Sequence, residues 1–164
     1  MIRVVEHALA TLPVDALVRA ADDQLRPVGR ASEALDLEGG ARFAEQRRVV
    51  TALEVGSAVI TAGGDLAAEF VLHVVIQGQE RACTRDTVRR ALQSAWHRAE
   101  GWQLTTVAAA LSGLGLPAAE AAIMLVDTFR QRPRSTGFPS ELHIVIDHPD
   151  ERSAVEPFLR NGSP

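Results

Sequence analysis

Gly56-Ser57-Ala58-Val59-Ile60-Thr61-Ala62-Gly63-Gly64-Asp65-Leu66-Ala67-Ala68-Glu69-Phe70-Val71-Leu72-His73-Val74-Val75-Ile76 reads as two strands joined by a glycine turn. Ser57 to Thr61 forms the first strand and Glu69 to Ile76 the second, around Gly63-Gly64-Asp65, whose glycines supply the positive φ angles of a tight connection. Val71, Val74, Val75 and Ile76 make the second strand apolar on both sides. A one-sided sheet alternates apolar with polar residues; a continuous apolar run suits an inner strand covered on both faces. Helices must therefore lie on either side of it.

Working outward toward the N-terminus, Ile2 to Glu6 and Ala16 to Ala21 read as strands separated by Leu12-Pro13, and the second carries Arg19 within its apolar run. Arg30 to Val50 has a helical composition broken by Gly39-Gly40, which predicts two short helices. Toward the C-terminus, Thr84 caps a helix with Asp86 in its first turn and Val88, Leu92 and Trp96 along one face, ended by Gly101. Leu104 to Leu111 reads as a strand. Pro117 starts a helix burying Ala121, Ala122, Leu125, Val126 and Phe129, closed by Pro133. Leu142, Ile144 and Ile146 alternate in a last strand, and Val155, Phe158 and Leu159 fit a short terminal helix. Gln131 to Pro139 and the last few residues read as flexible. Alternating strands and helices imply βαβ units, hence an α/β fold: a three-layer α/β/α sandwich with a mixed, largely parallel central sheet.

Composition narrows the class. A chain of 164 residues with 46% hydrophobic content is the size of one domain, read here as spanning residues 1–164. A net charge of -4 gives no broad footprint for nucleic acid, and five Phe, two Trp and no Tyr supply few stacking platforms. Cys83 is the single cysteine, which excludes an internal disulfide and fits a reducing compartment. No leader pattern and no run of roughly 18 apolar residues occurs, so neither secretion nor a membrane partner is expected and the localisation read is cytoplasmic. The histidines lack zinc-hydrolase spacing; His143, Asp147, His148 and Asp150 form the one candidate cluster, on a strand and turn that point their side chains apart. No nucleophile elbow or phosphate-binding G-x-x-x-x-G-K-[ST] loop is present, and no cofactor or metal is called for.

Val14-Asp15-Ala16-Leu17-Val18-Arg19-Ala20-Ala21-Asp22-Asp23 resembles the macrodomain (Appr-1-p processing) signature V-D-A-I-V-N-A-A-N. Gly56 to His73 resembles the family run G-x-A-x-x-T-x-G-x-x-L-x-x-x-x-V-I-H, and Thr105-Thr106-Val107 with Gly115 to Ala122 resembles its penultimate strand, second ligand loop and following helix. The resemblance covers about Ile2 to Leu159. It implies an ADP-ribose-binding fold whose ligand loops have diverged. The acidic residue that binds the adenine amino group in the family is replaced by Ala8, followed by Leu9; Asp22 stands where an asparagine contacts the distal ribose. The family's glycine-rich diphosphate loop corresponds to Val28-Gly29-Arg30-Ala31, with one glycine, a β-branched residue that distorts the backbone cradle, and an arginine able to hold phosphate. Ser112-Gly113-Leu114-Gly115 stands for a shortened second loop.

The implied ligand site thus comprises Ala8, Leu9, Arg19, Ala21, Asp22, Gly29, Arg30, Ala31, Ser112, Gly113, Leu114 and Gly115, with Asp22 the candidate catalytic group. Each also has a plainer role. Asp22 reads equally as a solvated turn carboxylate, Arg30 as a surface arginine, Ser112 to Gly115 as an ordinary turn. Arg19, buried in its strand, reads first as a structural cation paired with Asp22 or Asp23 and second as a phosphate contact. His73 reads as a satisfied core residue. Three functions stay open: a weak binder of ADP-ribose or a related nucleotide diphosphate, extending to ADP-ribosylated protein, without efficient hydrolysis; an ADP-ribosyl or O-acetyl-ADP-ribose hydrolase using Asp22; and a ligand-free interaction module.

Overall fold

The computed structural model describes residues 1–160; the expected flexibility of the last few residues and the packing of Leu159 lie outside what is described. Strands β1 (Ile2–Glu6), β2 (Ala16–Asp22), β3 (Ala58–Ala62), β4 (Phe70–Gln77), β5 (Thr106–Ala110) and β6 (Glu141–Ile146) form one sheet in the order β1-β6-β5-β2-β4-β3. Only the β3–β4 pair is antiparallel. Helix α1 (Arg30–Gln46) covers one face; α2 (Arg85–Gly101), α3 (Ala118–Arg130) and α4 (Arg152–Arg160) cover the other. This is the expected α/β/α sandwich with a mixed, largely parallel sheet.

The inner position of β4 follows from its side chains. Leu72, Val74 and Ile76 pack with Val88, Leu92 and Trp96 of α2, while Val71 packs with Leu35 and Phe43 of α1. A polar residue at any of these positions would strand a group between layers. α2 is held by its cap, since the Thr84 hydroxyl accepts from the Thr87 N–H and the Thr87 hydroxyl accepts from the Thr84 N–H. The wholly buried Trp96 keeps its indole N–H satisfied by donating to Thr128 of α3 at 2.9 Å, and its ring meets Phe129 edge-on at 5.6 Å. These contacts, with the ion pair of Arg85 and Glu120, join α2 to α3.

Two helix boundaries fall where glycines were expected to set them, and one strand differs for a local reason. The range labelled α1 holds two short helices, as expected, meeting at a kink where Gly40 takes φ 67° and ψ -163°. β5 is shorter than Leu104 to Leu111, because the Asp15 carboxylate accepts from the N–H groups of Thr105 and Thr106 and turns the chain there. α2 ends at Gly101, as expected, and the left-handed residue that redirects the chain beyond it is Gln103 (φ 55°). Among the described residues no helix is long and apolar enough to cross a membrane.

Candidate functional site

Parallel strands end together, and β1, β6, β5 and β2 deliver their carboxyl ends to one edge of the sheet, where α/β folds hold ligands. Two adjoining cavities open there. An inner one of about 110 Å³ is lined by Ala8, Leu9, Ala31, Ala34, Ala110, Val145 and Asp147. An outer one of about 350 Å³ shares Ala8 and Asp147 and is bounded by Glu6, His7, His148 and Pro149. Ala31 and Ala34 lie on one face of α1, and their small size leaves room against the ends of β5 and β6.

Of the residues expected at the site, Ala8, Leu9 and Ala31 line the inner cavity. Gly29 precedes α1 with φ 87°, a conformation that a β-branched residue avoids, and Arg30 is exposed at the helix start. Val28 is half-buried against the core, its N–H donating to Ala20 O at 3.1 Å. Ser112 is exposed, whereas Leu114 turns into the core and the Leu114 carbonyl faces the Cys83 thiol at 3.8 Å. Burial pushes that thiol up, away from thiolate chemistry. Ala21 packs with Leu25, Val55 and Val75 rather than lining either cavity. The two loops meet. A side-chain carbon placed on Gly29 would stand 3.5 Å from Gly113 Cα, and one on Gly113 would stand 3.5 Å from Ala31 Cβ. The two loops therefore approach to about the width of a methyl group at these glycines, narrower than a diphosphate.

Asp22 is occupied. Its Oδ1 accepts from the N–H groups of Gln24 and Arg26, each at 2.8 Å, and its Oδ2 accepts from Arg26 Nε at 2.8 Å. This short side chain folds its own turn, as aspartate at a strand end commonly does.

Arg19 requires a correction: its partner is neither Asp22 nor Asp23 but Asp36 of α1. The wholly buried guanidinium donates from Nε to Asp36 Oδ1 at 2.8 Å and from one NH2 group to Asp36 Oδ2 at 3.0 Å and Leu25 O at 2.9 Å. Arg47 donates to the same Oδ2 at 2.9 Å. Since a guanidinium only donates, His73 Nδ1, 3.2 Å from Arg19, must accept. Its Nε2–H then donates to Thr61 Oγ1 at 2.8 Å, and Thr61 donates to Ala62 O. Burial, then the charges of Arg19 and Arg47, hold the His73 pKa well below 6.5 and keep it neutral. These residues pin α1 to the sheet, and Arg19 lines neither cavity.

His143 hydrogen-bonds Glu141 at 3.1 Å and His148 pairs with Asp150, so the candidate histidine cluster is divided; among the described residues no three metal-ligating side chains gather. Besides wall residues such as Ala110 and Val145, sequence reasoning missed Ala34, Asp36 and Asp147. The i, i+3 alanines Ala31 and Ala34 carried a helical-face signal that reveals the second. Asp36 had none, being tied to Arg19 only through packing of α1 on β2. Asp147 was weighed with metal ligands, and its place beside Ala8 follows from the β1–β6 register, in which Glu6 pairs with Ile146.

The Macro domain family model matches residues 18–124. A Macro domain-containing protein of Methanosarcina mazei is 23% identical over 164 aligned residues, covering 96% of this chain and 87% of its own. An Enterobacter protein named O-acetyl-ADP-ribose deacetylase is 29% identical over 155, covering 88% and 85%. Among solved structures, the Trypanosoma brucei macrodomain in complex with ADP-ribose superposes with a TM-score of 0.81 at 22% identity, over 96% of this chain and 68% of that one. The Oceanobacillus iheyensis macrodomain with ADP gives 0.76 at 19%, over 96% and 89%.

Proposed function

This chain belongs to the macro domain family, and from that premise we propose that it is a divergent member holding ADP-ribose or a related nucleotide-diphosphate ligand weakly, without efficient hydrolysis. The observation that carries the reading is the close approach of Gly29 to Gly113, which leaves between the two loops about the width of a methyl group and less than a diphosphate needs. Ala8 adds a lost carboxylate. Each charged hydrogen bond forgone costs roughly 1.5–3 kcal/mol, and a micromolar complex is worth about 8 kcal/mol, so two losses bring affinity toward the millimolar range. Calorimetric titration with ADP-ribose checks this, and a low-micromolar dissociation constant overturns it.

Weak hydrolysis follows from Asp22, whose carboxylate already accepts three hydrogen bonds and is poorly placed to take a proton from water. The name of the Enterobacter relative favours the hydrolase reading, so the assay is release of ADP-ribose from an ADP-ribosylated protein and of acetate from O-acetyl-ADP-ribose. Release well above blank that Asp22→Asn or Asp22→Ala abolishes would make Asp22 catalytic. The same loop contact also favours a ligand-free interaction module; silence across a panel of nucleotides supports that reading against weak binding.

A further inference from the structure

We infer that a separate cavity between α2 and α3 binds a small planar carboxylate, with Arg132 receiving the anionic head. The cavity measures about 270 Å³ and is lined by Gln93, Trp96 and His97 of α2, Thr128 of α3, and Gln131, Arg132 and Pro133 of the chain leaving α3. It shares no residue with the two cavities of the crevice. It also lies at the opposite edge of the sheet. Arg132 reaches from it to Pro139 O, just before β6, and the next carbonyl, that of Ser140, accepts from the Met1 amino group, so this is the edge at which β1 and β6 begin.

The charged side chain of this cavity is half-buried and lacks a counter-charge. Arg132 donates from Nε to Pro139 O at 2.7 Å and from one NH2 group to Phe129 O at 2.6 Å, both neutral carbonyls, and its Cζ stands 3.8 Å from the centre of the Phe129 ring. These contacts fix the guanidinium before a ligand arrives. Among the described residues its other NH2 group has no protein partner and no carboxylate pairs with it. Burial first, and the Arg134 charge second, push its pKa below the ordinary arginine value, with no carboxylate opposing them. A cation in this state gains from an anion that can donate nothing and only accept. No acidic side chain lines the cavity to repel one. The buried polar groups of the floor are already satisfied, since the Trp96 indole N–H donates to Thr128 Oγ1 at 2.9 Å and the Thr128 hydroxyl donates to Met124 O at 2.7 Å. Trp96 and Pro133 are thus left to offer apolar surface to a ring, while Gln93 and Gln131 stand exposed at the rim with amide N–H groups for a second carboxylate oxygen.

The test titrates the whole chain with benzoate and with benzamide, its uncharged counterpart, following the Trp96 indole N–H and the side-chain amides of Gln93 and Gln131 by chemical shift. Benzoate should shift these resonances saturably and bind about tenfold or more tightly than benzamide, the size of one charge-assisted hydrogen bond. Arg132→Gln should remove that preference. Because Arg132 also holds the Phe129 carbonyl at the end of α3, a second variant leaves it in place: Gln131→Glu, at an exposed position, sets a like charge in the lining and should weaken benzoate several-fold while leaving benzamide unchanged. Equal affinities for the two probes in the wild type, shifts that do not saturate, or a Gln131→Glu variant that treats both probes alike overturn the site. None of these outcomes bears on the crevice, whose own test is the ADP-ribose titration.

Discussion

Asp36→Ala is the sharpest perturbation of the buried charge cluster, because it removes one acceptor from two arginines at once. The Asp36 carboxylate accepts two hydrogen bonds from Arg19 and one from Arg47, between 2.8 and 3.0 Å. Arg19 is wholly buried and keeps only Leu25 O and His73 Nδ1 afterwards, neither of them charged. Stripping one partner from a buried ion pair costs about 3–5 kcal/mol, since the remaining charge stays desolvated. The Asp36 side chain retains 16% exposure, which lets some water reach the vacated space and favours the lower end. With an unfolding entropy of about 2.1 cal/mol/K per residue, a loss of 3 kcal/mol lowers the melting midpoint by about 9 °C. Urea unfolding followed by circular dichroism, beside a thermal melt, measures both quantities. Asp36→Leu combined with Arg19→Met should cost less than Asp36→Ala, because the pair leaves together. A loss below about 1 kcal/mol for Asp36→Ala would refute the assignment of Arg19 as the anchor of α1.

Two further outcomes follow from the same packing. His73 is held well below 6.5 by burial and then by the arginine charges, so below pH 6.5 the unfolded chain binds a proton that the folded one refuses. Stability from this group is full above that pH and declines beneath it by up to about 1.4 kcal/mol per pH unit; urea unfolding across this range should show the slope in the wild type, and an unaltered slope in His73→Gln would contradict it. Thr84→Ala, which removes the acceptor for the Thr87 N–H at 3.1 Å, should lower stability by about 1 kcal/mol with an unchanged denaturant slope. A cost indistinguishable from zero would mean that the cap adds nothing to α2.

The sheet was legible because its signals are local. A two-sided apolar run at Val71 to Ile76 and helical spacing from Val88 to Trp96 each dictate burial without reference to distant residues, and the motif order supplied the topology. The site was legible only where it, too, is local: Ala8, Leu9 and Ala31 line the cavity that their positions implied. Arg19 was read as a buried cation needing a partner, but Asp22 and Asp23 were chosen for being near in sequence. The true partner lies nearly two turns into α1, brought over by the packing of Leu35 and Phe43 on Leu17 and Val71. The close approach of Gly29 to Gly113 was equally hidden, since loop composition shows that a cradle is distorted without showing how near its two sides come. Leu114 anchors the second loop by entering the core, an effect of shape that no spacing reveals.

The closed loops carry a kinetic consequence. A ligand whose phosphates need more than the methyl-wide space between Gly29 and Gly113 can occupy only molecules in which the two loops have moved farther apart, so its apparent dissociation constant is the intrinsic one divided by the fraction open. An open fraction of about one in a hundred weakens binding a hundredfold without altering a single contact to the ligand. Association measured at rising ligand concentration would then level off at the rate of loop opening instead of climbing without limit.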